Sequence, residues 1–278
     1  MRVRQAVAAA ADRLATAGID SARVDAELLA AHVAGVDRGR LFITDPGDDF
    51  ESRLSDLVDA RVRRIPLQHI VGTAAFGPVT LAVGPGVFTP RPETEALLEW
   101  ALAQRLPAAP VVVDLCTGSG ALAVALARAR PAATVVAVED SPAALEYAHR
   151  NVAGVQVDLR AADVTADGLL AEFDGAVDLL VANPPYIPDG AHLDPEVADH
   201  DPARALFGGP DGMAVIRPIV THAVRLLRRG SGLIGIEHDD TTAAATVATF
   251  DRTGAFGAVT PRRDLTGRPR FVTAVRAE

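Results

Sequence analysis

Asn183-Pro184-Pro185-Tyr186 follows directly on the apolar run Val177-Asp178-Leu179-Leu180-Val181-Ala182, so a buried strand is expected to end in a stiff polar loop. These residue types suit chemistry at a planar amide or amino nitrogen. Such a nitrogen has a delocalised lone pair, and a catalyst must accept hydrogen bonds from both N–H groups while a flat apolar surface covers the plane. Asn183 offers a side-chain carbonyl, Pro184 a backbone carbonyl and Tyr186 the flat face. The two prolines narrow the loop's dihedral choices and bias Asn183 away from the helical region, which presets the arrangement before substrate arrives. A plain turn after a strand would use the same residues for local reasons, so the tetrapeptide alone leaves both readings open.

A second candidate site lies upstream. Val111-Val112-Val113-Asp114-Leu115 reads as a strand, Cys116-Thr117-Gly118-Ser119-Gly120 as a tight turn, and Ala121 to Leu126 as the start of a helix. Glycines in such a turn let backbone N–H groups approach a ligand closely, beside the positive end of the helix. A nucleoside cofactor fits that description, but the third glycine of the dinucleotide fingerprint is missing. The next apolar run, Thr134 to Val138, ends in Glu139-Asp140. An acid there can accept hydrogen bonds from both ribose hydroxyls, and Glu139 is the better placed because Ser141-Pro142 has the form of a helix N-cap followed by proline at the first helical position.

The elements that must position these groups fall into two styles. Through about residue 64 the chain reads as short helices, with a break at Gly18, a helix from Ala22 to Val33 between Ser21 and Gly35, and another from Ser52 to Arg64. Residues 66–92 are rich in Gly and Pro, and Val79-Thr80-Leu81-Ala82-Val83 alternates as a hairpin strand would. After Pro110 strands and helices alternate, which predicts an α/β domain with a mostly parallel sheet. Met213 to Leu227 and Thr241 to Phe250 read as helices, Gly232 to Glu237 as a strand, and Ala258 to Thr260 with Arg270 to Val275 as an antiparallel pair.

Composition sets limits on function. At 278 residues and 49% hydrophobic, the chain is large enough for two domains. No stretch is long and apolar enough to span a bilayer, and the Val7 to Ala11 run is too short for a signal peptide, so a cytoplasmic protein is expected. Cys116 is the only cysteine, which excludes an internal disulfide and a thiolate-rich zinc site; as a nucleophile it lacks an adjoining histidine partner. The seven histidines are scattered, and no metal site is expected. The net charge is −9 and all 27 basic residues are arginine, a poor balance for stable binding of nucleic acid.

Taken in order, Pro66-Leu67-Gln68-His69-Ile70-Val71-Gly72, Thr89-Pro90-Arg91-Pro92-Glu93-Thr94-Glu95, Asp114 to Gly120, Glu139, Asn183 to Tyr186, Asp201 to Leu206 and Gly208-Gly209-Pro210-Asp211-Gly212 resemble the protein-glutamine methyltransferases of the HemK or PrmC family. The resemblance covers roughly residues 20–278. It implies a seven-stranded Rossmann-like class I S-adenosylmethionine-dependent methyltransferase domain at 93–278 with a reversed strand at the sheet edge. A small helical substrate-docking domain at 1–65 and a β-hairpin linker at 66–92 precede it. It implies S-adenosylmethionine as cofactor, held by Cys116, Thr117, Gly118, Ser119, Gly120, Glu139, Asp163 and Asn183. Class I peptide chain release factors are the implied partners, their Gly-Gly-Gln glutamine being methylated at Asn183, Pro184, Pro185 and Tyr186; a monomer is expected. Arg91 and Glu93 are expected to build the pocket wall. An acid after a strand is as often a local cap, and that alternative stays open for Asp163. Three places depart from the family pattern, one being the segment around Phe76-Gly77, which lacks the tyrosine often found between those residues. Cys116 stands in place of glycine, and Asp201 in place of glutamate, so any contact Asp201 makes is expected to be longer or bridged by water. Two rival readings are an amino-group methyltransferase acting on nucleic acid or a ribosomal protein, and a donor-binding scaffold without catalysis.

Overall fold

The computed structural model describes residues 2–278. Two compact units are present, one comprising the chain through Thr73 together with Asp194–His200, the other Ala74–Leu193 with Asp201–Glu278. In the first, helices α1 (Arg2–Thr16), α2 (Ala22–Ala34), α3 (Phe50–Val62) and the short α4 (Leu67–Val71) enclose a small core. Helix α1 buries Val3, Val7, Ala10, Ala11 and Leu14, the three-and-four spacing that puts side chains on one helical face. Gly35 ends α2 in the left-handed conformation at φ 65°. Leu67, Ile70 and Val71 of α4 pack on this helical core, so the segment read from its glycines and prolines as linker begins with a helix. Arg61 ties the unit together from within. Its side chain is 6% exposed and donates to Asp25 at 2.7 Å and Glu196 at 2.6 Å.

The second unit opens with a two-stranded sheet, β1 (Thr73–Phe76) and β2 (Val79–Ala82), and then α5 (Pro92–Leu102). An alternating series follows: β3 (Val111–Leu115), α6 (Ala121–Ala129), β4 (Thr134–Glu139), α7 (Pro142–Asn151), β5 (Val157–Ala161) and β6 (Leu179–Ala182). After β6 come α8 (Pro195–His200), which belongs to the helical unit, then α9 (Ala203–Leu206), α10 (Ile216–Leu226), β7 (Leu233–Glu237), α11 (Ala243–Thr253), β8 (Phe256–Arg263) and β9 (Pro269–Arg276). The strand order is β5-β4-β3-β6-β7-β9-β8, parallel from β5 through β7, with β9 antiparallel to β7 and β8 antiparallel to β9. The reversed strand β9 therefore lies one place inside the edge, and β8 is the edge. Side chains alternate across the central strands. Val113, Leu115, Leu180 and Ile234 face one core with α10, while Val112, Val135, Leu179 and Val181 face the other with α5 and α6.

This winding brings the C-terminal ends of β3, β4, β6 and β7 to one side of the sheet, where the chain reverses its direction of spread between β3 and β6, the place at which such sheets bind ligands. Gly235 lets α5 lie close on β7, since a Cβ there would sit 2.6 Å from both Leu97 Cδ1 and Trp100 Cζ3. That approach sets the first turn of α5, with Thr94, beside the ends of β6 and β7.

Candidate active site

The turn after β3 is held from below by Asp114, which is fully buried. Its Oδ2 accepts from the Thr117 hydroxyl at 2.5 Å and from the Ala123 N–H at 3.0 Å, so one carboxylate oxygen stitches the turn to the first turn of α6. Burial pushes the Asp114 carboxyl up to about 7, against the pull of these two bonds. Thr117 and Ser119 point inward and are buried, and the Ser119 carbonyl accepts from Asn151 Nδ2 at 2.8 Å. Gly118, at φ 58°, has nothing within 4 Å of where a Cβ would stand. The open side of the turn is thus its backbone. Cys116 also adopts the left-handed conformation, at φ 60°, where glycine would be unstrained. Burial and the surrounding Glu139, Asp114, Asp140 and Asp163 push its thiol well up, which leaves it a poor nucleophile.

Glu139 ends β4 opposite this turn. Its Oε2 accepts from the Gly118 N–H at 2.9 Å, and its Oε1 from the N–H groups of Asp140 at 3.1 Å and Ser141 at 2.8 Å. Burial raises its carboxyl nonetheless. Ser141 caps α7, accepting from Ala144 N at 3.4 Å, as its sequence suggested. Asp163 is exposed and forms a local turn, with Oδ1 accepting from both the N–H and the hydroxyl of Thr165 at 2.7 Å, the bonding of a local cap. These bonds hold the Asp163 carboxyl below its ordinary value. Around the turn, Glu139, Asp140 and Asp163 make the surroundings acidic, with Asp140 paired to Arg204 at 2.6 Å, while Asp114 lies buried beneath.

At the end of β6, Asn183 Nδ2 donates to the Thr94 hydroxyl at 3.1 Å, so the nitrogen end of the amide is turned toward α5 and the carbonyl end away from it. Tyr186 packs against the core under the loop, and its hydroxyl meets the Arg270 guanidinium; burial raises its phenol far out of titrating range. Tyr186 is therefore a surface, not a base. The loop's backbone is clamped from outside by the glycine-rich segment 208–212. Ile187 N–H donates to the Leu206 carbonyl at 2.8 Å, Gly208 N–H to the Ile187 carbonyl at 2.9 Å, and Asp189 N–H to the Gly209 carbonyl at 3.0 Å. A Cβ on Gly208 would lie 2.6 Å from the Pro185 carbonyl oxygen, and one on Gly212 2.3 Å from that of Tyr186.

Comparison with known proteins decides between the families that share such a loop. Residues 5–72 match the PrmC N-terminal domain and residues 79–200 the methyltransferase small domain. A release factor glutamine methyltransferase of Mycolicibacterium smegmatis is 68% identical over 99% of this chain and 98% of its own length. The chain belongs to the release factor glutamine methyltransferase family. A relative with the same description from Mycobacterium tuberculosis is 61% identical over 99% of this chain and 92% of its own length. A solved release-factor-specific protein-(glutamine-N5) methyltransferase from Alicyclobacillus acidocaldarius is 27% identical, with a TM-score of 0.44, covering 70% of this chain and 99% of that one.

Within the family's motifs, one expectation needs correcting. Asp201 makes a direct contact, with Arg91 Nη2 2.5 Å from its Oδ2 and the aspartate side chain 1% exposed. The shorter side chain still reaches because Arg91 is anchored over the Phe88 ring, 5.2 Å from its centroid, and extends its guanidinium to the loop. Sequence reasoning missed Thr94 as Asn183's partner, Arg270 as Tyr186's and Glu237 as a buried acid. For Glu237 a signal existed. It ends an apolar strand as Glu139 does.

Proposed function

We propose that this chain transfers a methyl group from S-adenosylmethionine to the side-chain amide nitrogen of the glutamine in the Gly-Gly-Gln motif of class I peptide chain release factors. The observation that carries the reading is the Asn183 amide, whose nitrogen is committed to Thr94, leaving a carbonyl acceptor at the end of β6 beside the backbone carbonyl of Pro184. Bound in the pocket, S-adenosylmethionine supplies an electrophilic methyl on a sulfonium that takes up the electron pair of the broken C–S bond. The turn from Cys116 to Gly120 holds it through backbone groups, Glu139 through the ribose and Asp163 through the purine.

Asn183 Oδ1 and the Pro184 carbonyl accept the two N–H bonds of the target amide and turn its nitrogen toward the methyl. As the new N–C bond forms, positive charge grows on that nitrogen, and the same two oxygens stabilise it. Pro185 keeps the loop rigid, and Tyr186 covers the amide plane. The alkylated nitrogen then releases one proton to water, so no strong base is required, and the Tyr186 phenol is unsuited to be one. The helical unit supplies the docking surface for the factor, the enzyme works as a monomer, and the reaction occurs in the cytoplasm, where translation ends. Among the described residues no helix is long and apolar enough to cross a membrane.

The test is transfer of radiolabelled methyl to a folded release factor, its Gln→Ala variant at the Gly-Gly-Gln motif, and duplex DNA. Label in the intact factor alone supports the reading, and label in DNA alone selects a nucleic-acid amino methyltransferase. Asn183→Ala should lower kcat by roughly 100-fold or more, as loss of a charge-stabilising group does, with donor affinity nearly intact. An unchanged rate refutes the role given to the amide.

A further inference from the structure

Beneath the Asn183 loop lies a buried polar cluster that the transfer itself does not use. Thr94, 4% exposed, sits in the first turn of α5 and accepts from Asn183 Nδ2 at 3.1 Å. Glu237, 1% exposed, ends β7 next to it and has the Thr94 hydroxyl as its hydrogen-bonding neighbour. Glu237 Oε1 finds no hydrogen-bond partner among the described residues. Arg270 lies close enough to draw its charge, but is engaged with Asp264 at 3.2 Å and with Tyr186. Burial favours the neutral, protonated carboxyl, and the unpartnered Oε1 still carries a desolvation cost.

The chemistry of a hydroxyl supplies one. Thr94 has a single O–H proton, and its oxygen can accept as well as donate. An Asn amide can be turned either way in the same space, with nitrogen or oxygen toward Thr94. If the Thr94 hydroxyl donates its hydrogen bond to Glu237, only its lone pairs remain for Asn183, and the amide must present its nitrogen inward. If Thr94 were free to donate to Asn183, the amide would turn over and point its N–H groups at the target nitrogen, where acceptors are needed. In either protonation state the Glu237 carboxyl keeps an oxygen able to accept from Thr94.

We infer that Thr94 and Glu237 are positioning residues that fix the Asn183 amide with its carbonyl toward the substrate nitrogen. The inference rests on the methyl-transfer reading above and adds two residues from α5 and β7 to the machinery of the β6 loop. Neither touches the reacting atoms. Their effect passes through Asn183 alone, and this separates a positioning role from a merely structural one.

The test compares wild type, Thr94→Val, Thr94→Ser, Asn183→Ala and the double variant Thr94→Val/Asn183→Ala in single-turnover methyl transfer to the release factor. Donor affinity is measured by calorimetry and folding by thermal melting. Thr94→Val should slow transfer roughly 10- to 100-fold, the scale of a misoriented catalytic group, with donor affinity unchanged, and Thr94→Ser should recover most of the rate. In the Asn183→Ala background the same Thr94→Val change should cost less than about twofold, because coupled residues are not additive. Glu237→Leu should match Thr94→Val, and Glu237→Gln, which keeps an acceptor carbonyl, should lose less; this pair also serves if Thr94→Val fails to fold. An undiminished rate in Thr94→Val, or an equal loss with and without the Asn183 amide, overturns the inference. A wild type that labels no release factor instead overturns the functional reading, before any variant is compared.

Discussion

Gly208→Ala tests how tightly the target loop is held. Gly208 does not occupy the left-handed region, so alanine meets no conformational penalty there, and its whole effect comes from the added methyl. That carbon would stand 2.6 Å from the Pro185 carbonyl oxygen and 2.8 Å from the Gly212 carbonyl oxygen, whereas ordinary contact begins at 3.4 Å. Both neighbours are backbone, so no side chain can swing aside, and one strand of the clamp must back away by up to 0.8 Å. The overpacking should cost about 1–3 kcal/mol of stability. A displacement approaching 1 Å at Pro185, next in the chain to the Pro184 carbonyl proposed to hold the substrate nitrogen, should cost up to about 100-fold in rate. The donor turn is built by other segments and should bind as before. Urea unfolding, donor calorimetry and steady-state methyl transfer separate the three effects. A variant with wild-type kcat and an unchanged urea midpoint would show that the loop is not clamped by this contact, and the reasoning would fail.

Two further predictions concern stability. Arg61→Met leaves Asp25, 5% exposed, without its cation, and breaking a buried pair from one side should destabilise the protein by about 3 kcal/mol or more in urea; a loss below about 1 kcal/mol would mean that water or a neighbour compensates. The pH profile follows from the two raised carboxyls, Asp114 at about 7 and Glu237 at about 8, against ordinary values of 3.8 and 4.5. The folded state keeps protons that the unfolded chain has released, so this contribution is fully present below about pH 4 and is lost as pH rises through 7 and 8. The urea midpoint should therefore fall between pH 7 and pH 9, above the range in which the buried His222 and His238, whose imidazoles burial holds low, act in the opposite direction; the fall should be smaller in Glu237→Gln, and a rising midpoint would contradict the assignment. The carboxyls held low, such as Asp163 and Asp264, lose their contribution on the acid side and do not disturb this window.

How much of this was legible in the sequence depends on the range of each interaction. The turn from Cys116 to Gly120, the Ser141 cap and the strands on either side are encoded within a few residues of themselves, by apolar runs, glycines and a capping hydroxyl, and these are where sequence reasoning placed them. Strand order is not local. Arg270 to Val275 reads only as half of an antiparallel pair, nothing in it says that it pairs with β7 as well as β8, and the reversed strand that the resemblance placed at the edge lies one place inside it. The partners of the loop are longer-range still. Asn183 meets Thr94 across 89 positions, and Arg91 meets Asp201 across 110, contacts that arise only when α5 settles over Gly235. Hydrophobic periodicity reports burial and carries no information about which polar groups will face each other once burial is complete.

The two halves of the site are made by different physical means, and this follows from what each must bind. On the proposed donor side, the buried acids at the ends of β3 and β4 hold the glycine turn and its flanks by accepting backbone N–H bonds, with Asp140 and Asp163 adding acidity around it. On the target side, the ligand is a neutral amide with two N–H groups. A free carboxylate would bind it indiscriminately and would compete for the donor's charge. The proposed acceptors are neutral carbonyls instead, Asn183 Oδ1 and the Pro184 backbone, and neutral carbonyls work only if their direction is enforced. Prolines, the Gly208 and Gly212 contacts and the Thr94 hydrogen bond supply that enforcement from three sides. The acids Glu237 and Asp201 are buried, Asp201 against Arg91, and on the inference above Glu237 acts through Thr94 and not on substrate. On this view the charged residues of the site divide by depth. Those at the donor rim act through their field, and those beneath the target loop act through the hydrogen bonds they dictate.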